Sequence, residues 1–192
     1  MILLSAHRDK IKSEYRFEYK NGKFIGLLDN SIGEYLISDL VISDPALRKM
    51  EKMGKIGLFY GDSEEWSTIT DMPKLSNKDL VVVVDVCSGS QYNGLSFSLE
   101  NINGIEKGRI KKLKESLEWE GFKFRTKLYD GNPDDEDEAF YWVEKSIPVI
   151  SFIVPIEAGS KNTGWHVDDC SISIDKLVTA KQGLTRLLNY LL

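Results

Sequence analysis

The stretch Leu80-Val81-Val82-Val83-Val84-Asp85-Val86 decides how this chain folds. Its valines are β-branched and the run is apolar on both sides, so it reads as a buried strand in a sheet covered on both faces. Asp85 interrupts the valines near the carboxyl-terminal end. In open sheets of alternating strands and helices, sites form just beyond those ends. Two other segments repeat the arrangement. Ile2 to Ala6 reads as a buried strand leading into His7, and Ile56 to Tyr60 as a short buried strand leading into Glu64-Glu65.

The segments between these strands carry local signals of their own. Tyr15-Arg16-Phe17-Glu18-Tyr19 alternates aromatic and charged residues, and Asn21-Gly22 then precedes Phe24 and Ile25. Both central positions of a type I′ turn need positive φ, so this Asn-Gly predicts a tight hairpin that extends or covers a sheet. A helix is expected from about Ser31, with Ile32, Tyr35, Leu36 and Leu40 along one face. Asp44-Pro45 supplies a cap followed by a first-turn proline, so a second helix should run toward Met53 and stop at Gly54.

The alternation continues to the end of the chain. Ile105 to Glu120 reads as a helix closed by Gly121, Phe122 to Leu128 as a strand, and Ile147 to Pro155 as another. The acidic segment Asp134 to Glu138 opens a helix around Ala139 to Glu144, where negative charge is favourable without any function. Ser173 caps a last helix whose Leu177, Ala180, Leu184, Leu187 and Leu191 need a core to bury them. The expected architecture is α/β, three layers of helix, mixed sheet and helix, in a single domain over residues 1–192.

Composition narrows the function classes. The chain has 192 residues, 42% of them hydrophobic, enough for one substantial core. A net charge of -5 argues against a broad nucleic-acid surface. The lysines between Lys107 and Lys114 alternate with Ile110 and Leu113 and are followed by Glu115 and Glu118, as on a solvated helix face. Cys87 and Cys170 match no disulfide framework or short zinc motif, which suits a cytoplasmic setting. The apolar run before His7 is too short for a signal-peptide core, and no run reaches membrane length.

Acidic and imidazole residues then appear in a telling order: His7-Arg8-Asp9, Asp29-Asn30, Glu64-Glu65, Asp85 and His166. His7 and His166 are the only histidines. Two imidazoles among several carboxylates suit a pair of zinc-like ions, because borderline-soft cations accept both nitrogen and oxygen ligands.

With Ala6-His7-Arg8-Asp9, Gly26-Leu27-Leu28-Asp29-Asn30, Glu64-Glu65, Asp85 and Ile147-Pro148 through Trp165-His166, the chain resembles the zinc aminopeptidase superfamily that includes the M28, M42 and M20 peptidases. It resembles a compact form without a lid or dimerisation domain. The resemblance implies a zinc-peptidase-like fold and two divalent metal ions, zinc first, with cobalt or manganese as replacements. Asp29 would bridge them, His7 and Asp85 would complete one ion, and Glu65 and His166 the other. Glu64 would be the general base, and Asp9 would sit behind His7 and accept its remaining ring N–H.

The implied activity is hydrolysis of peptide or small amide bonds, with an aminopeptidase expected. An N-acyl amino acid deacylase or carboxypeptidase of the same fold is the alternative, followed by an inactive interaction protein or a metal-stabilised structural protein. Neither Ser nor Cys is needed as a nucleophile, so Ser88-Gly89-Ser90 is expected to contact substrate or support the site, and Cys87 to be a small buried residue. Tyr92 and Trp165 are weak pointers to an apolar substrate pocket. No nucleic acid or membrane partner is expected. Homo-oligomers are common among the proteins it resembles, and the hairpin from Tyr15 to Ile25 is the expected contact.

Overall fold

The computed structural model describes residues 1–7, 18–26, 28–61, 72–131, 138–158 and 170–192, with the backbone alone at 29 and 30. The valine run forms the strand β5 (Leu80–Cys87) near the middle of a six-stranded sheet. On one side of it lie β1 (Ile2–His7) and, at the edge, β4 (Ile56–Gly61). On the other side lie β8 (Val149–Pro155), β6 (Phe97–Asn103) and β7 (Phe124–Leu128). The strands β4, β1, β5 and β8 are parallel, β6 runs antiparallel to β8, and β7 follows the direction of β6. The sheet is therefore mixed, as expected.

Val81 to Val84 are each no more than 1% exposed, alternating between two apolar layers. Burying such a side chain contributes about 1.5–3 kcal/mol. Val82 and Val84, with Leu4, Ile150 and Phe152, pack under α1 (Asp29–Ser43), α3 (Lys107–Trp119) and α5 (Ile174–Leu191). Val81 and Val83, with Leu3 and Val149, pack on Ala139 and Trp142 of α4 (Glu138–Glu144). Both faces of the sheet are thus covered by helices, in three layers.

Most local signals act as read. Asp44 accepts from the amides of Ala46 and Leu47 and opens α2 (Pro45–Lys52), which ends ahead of Gly54. Ser173 caps α5 through the amide of Lys176, and Leu177, Ala180, Leu184, Leu187 and Leu191 are all buried. Asn21 (φ 52) and Gly22 (φ 77) make the tight turn between β2 (Glu18–Lys20) and β3 (Lys23–Gly26). Tyr15 to Phe17 lie outside the described residues.

Two readings on α1 change, and one strand went unread. The helix α1 starts at Asp29 rather than Ser31, and Tyr35 is 52% exposed instead of lying on the buried face. That face is carried by Ile32, Leu36 and Leu40 with Ile37 and Val41 beside them, and Tyr35 falls beyond its margin. The strand β6 carried no periodic signal: Asn101 sits at φ 48, and the pairing shifts register between Glu100 and Asn103. The hairpin extends a sheet, as expected, and that sheet is a separate antiparallel one in which β3 pairs with β9 (Cys170–Ser173). Glycine matters where α1 crosses the sheet, because a Cβ on Gly33 would stand 2.3 Å from the Val84 carbonyl oxygen.

Candidate functional site

The chain leaves β1 through α1 and α2 to reach β4 on one side, then returns to β5 on the other. The carboxyl ends of β1 and β5 therefore flank a switch point in strand order, where crevices form in such sheets. His7 is the last residue of β1 and Asp85 lies near the end of β5. Ser5 pairs with Val83, so two residues further His7 stands level with Asp85 and on the same face. His7 Nε2 lies 3.3 Å from Asp85 Oδ1, and both side chains are largely buried. Asp85 Oδ1 also accepts from the amide of Val86 at 2.7 Å.

None of the remaining expected site residues has a described side chain. On the other side of β1, His7 pairs with Gly61, the last residue of β4. Glu64 and Glu65 follow Gly61 in sequence but lie outside the described residues, as do Asp9 and His166. Asp29 opens α1, with its side chain outside the described set. Among the described residues no cluster of three or more histidine, cysteine, aspartate or glutamate side chains is placed to hold a metal. His7 and Asp85 provide one imidazole nitrogen and one carboxylate oxygen, donors that suit a zinc-like ion.

The structure adds one carboxylate that the sequence placed at a helix start, where negative charge is favourable without any function. Glu138 is 4% exposed, and its Oε1 accepts from the Ser5 hydroxyl and from Trp142 Nε1, the latter at 3.3 Å. Its Oε2 is buried with no hydrogen-bond partner among the described residues. Burial pushes the Glu138 carboxyl above the usual glutamate range, while the bonds from Ser5 and Trp142 and the nearby His7 oppose that rise. A signal was present: Glu138 and Trp142 are four apart, so the acid shares a helix face with a large apolar ring.

The segment after β5 is more structural than expected. Ser88 is buried, and Ser90–Tyr92 forms one 3-10 turn. Cys87 is half-buried rather than buried, and burial raises its thiol pKa, which disfavours a thiolate nucleophile. Tyr92 is only 7% exposed, so it does not present its ring to a substrate. It is held by the Arg125 guanidinium, 4.4 Å from the ring centroid, and Arg125 pairs with Glu100 at 2.7 Å. Trp165 lies outside the described residues.

The fold itself has relatives among solved structures. It is similar to PhTET1-12s, solved as a dodecamer, with a TM-score of 0.57 and 13% identity, covering 90% of this chain and 53% of that one. It is also similar to an M18-family aminopeptidase from Thermotoga maritima, with a TM-score of 0.56 and 14% identity, covering 91% and 48%. Aminopeptidase I from Clostridium acetobutylicum has a TM-score of 0.55 and 16% identity, covering 91% and 46%. The chain spans about half the length of these proteins, and at such identities the likeness is one of fold. No protein-family profile and no curated protein sequence matches the chain.

Proposed function

We propose that this chain is a two-metal hydrolase of peptide or small amide bonds, acting as an aminopeptidase through one catalytic domain over residues 1–192. The observation that carries the reading is the meeting of His7 and Asp85 at the switch point of a sheet whose fold is similar to that of solved aminopeptidases. In this reading His7 and Asp85 would hold one divalent ion, Glu65 and His166 would hold the other, and Asp29 would be shared by the two. Zinc is the first choice, with cobalt or manganese as replacements.

A bound ion pair supplies Lewis acidity, which acidifies a water and polarises the scissile carbonyl. The residues of the chain do the rest. Glu64 takes the proton of the attacking water and passes it to the leaving amine. Asp9 would accept the remaining ring N–H of His7 and so set its tautomer. No helix among the described residues is long and apolar enough to cross a membrane. A cytoplasmic setting belongs to this reading, and the free thiol of Cys87 suits it.

The test is a pair of variants with metal analysis. Glu64→Gln should abolish turnover with both metals still bound, because the amide keeps the shape but cannot act as a base. Glu65→Gln should instead lower metal content. Wild-type turnover by metal-replete Glu64→Gln would defeat the mechanism. The substrate panel is aminoacyl amides, short peptides and N-acyl amino acids, and activity confined to the last would replace the aminopeptidase by a deacylase. A homo-oligomer is part of the proposal, since every residue of β2 is exposed, Tyr19 to 59%. Light scattering at several concentrations checks this, and a persistent monomer would refute it.

A further inference from the structure

Beneath the His7 and Asp85 pair lies a carboxylate to which the mechanism above gives no role. Ser5 and His7 are two residues apart on β1, so their side chains leave the same face. That face is the one covered by α4, whose Ala139 and Trp142 pack on Leu3 and Val83. Glu138 opens α4 and meets Ser5, one strand repeat of about 6.6 Å before His7. Glu138 is close enough to feel the charge state of both His7 and Asp85.

As a stabilising element, Glu138 is poorly chosen. One oxygen is satisfied by Ser5 and Trp142, but Oε2 is buried with no partner among the described residues. An orphaned, buried carboxylate oxygen opposes folding, and a neutral amide of the same length would keep the acceptor for Ser5 and Trp142 without the buried charge. The environment becomes favourable when positive charge sits above it. A divalent ion held by His7 and Asp85 would place that charge at the carboxyl ends of β1 and β5, on the side that Glu138 faces.

We propose that Glu138 is a positioning residue for the metal site: its buried carboxylate anchors β1 through Ser5 and supplies negative charge that strengthens cation binding by His7 and Asp85. The inference rests on the metal-site reading above and extends it to a residue outside the ligand set. It separates from an ordinary structural role by sign. Removing the charge should leave the metal-free protein as stable as before, or more so, and still weaken metal binding.

The experiment uses the full chain, stripped of metal with a chelator, and measures zinc affinity by competition with a chromophoric chelator alongside thermal unfolding of the metal-free protein. Glu138→Gln and Glu138→Met, two side chains of similar length without charge, should lower zinc affinity by about 10- to 100-fold, the range for residues that support ligands from behind. The metal-free Tm of Glu138→Gln, whose amide oxygen can still accept from Ser5 and Trp142, should equal or exceed that of the wild type. Glu138→Asp should keep affinity near the wild-type value, and Glu144→Gln, on the exposed end of the same helix, should change nothing. Unchanged zinc affinity in both charge-free variants, with the wild type binding normally, overturns the role of Glu138 alone. A wild-type chain that binds no zinc overturns this inference and the metal-site reading together.

Discussion

His7 and Asp85 touch across two parallel strands, with Nε2 3.3 Å from Oδ1, although 78 residues separate them in the chain. Register brings them together. Ile2 pairs with Leu80 and Ser5 with Val83, and the same step carried two residues on sets an imidazole beside a carboxylate at the open end of the sheet.

Asp85→Asn tests that relationship. The amide oxygen can still accept from the Val86 amide, so the metal-free fold should keep its Tm within a few degrees. Zinc affinity should fall by at least about tenfold, because a ligand matters no less than the residues that support it. Competition with a chelator reads this directly, and undiminished binding would remove Asp85 from the site.

Gly33→Ala should destabilise the fold by about 1–3 kcal/mol, the usual cost of overpacking. The new Cβ would stand 2.3 Å from the Val84 carbonyl oxygen and 3.1 Å from Ala6 Cβ, so α1 must lift off β1 and β5. This outweighs the gain of about 1 kcal/mol that alanine brings to a helix interior. Gly108→Ala on α3 meets only the flexible end of Glu106 at 3.3 Å and should be neutral or slightly stabilising. Urea unfolding of the two variants compares a tight crossing with an open helix surface.

The contact between the smaller sheet and the segment that follows β8 should weaken in acid. Lys23 on β3 donates to Glu157 Oε2 at 2.5 Å, and the Ser171 hydroxyl of β9 donates to the same oxygen at 2.9 Å. Lys23 in particular holds the Glu157 carboxyl below its ordinary value of 4.5. A carboxylate depressed on folding contributes stability above its unfolded pKa and loses it as pH falls through the folded one. Thermal unfolding from pH 6 to pH 3 should therefore show Tm dropping less steeply for Glu157→Gln than for the wild type. The difference will be small because the pair is exposed.

The sequence by itself determined the elements whose cause is local. Valine branching made β5 legible, Asn21-Gly22 the hairpin, Asp44-Pro45 the start of α2, and the spacing from Leu177 to Leu191 the buried face of α5. Each depends on side chains within a few residues of one another, so each can be read without knowing what lies across the core. The order of acidic and imidazole residues was legible in the same way, and it pointed to both His7 and Asp85.

Only tertiary structure decided how distant segments meet. The strand β6 has Glu100 and a positive-φ Asn101 where a strand should alternate, and it exists because β8 and β7 supply its hydrogen bonds from either side. The hairpin went to β9 rather than to the main sheet because β3 found its partner strand almost 150 residues away by sequence numbering, from Lys23↔Ser173 onward. Glu138 looked like one more acid in a charged run and is buried because α4 docks its Ala139 and Trp142 onto Leu3 and Val83. Strand register and helix docking are long-range choices made by the whole core, and a side chain's burial follows from them rather than from its neighbours in sequence.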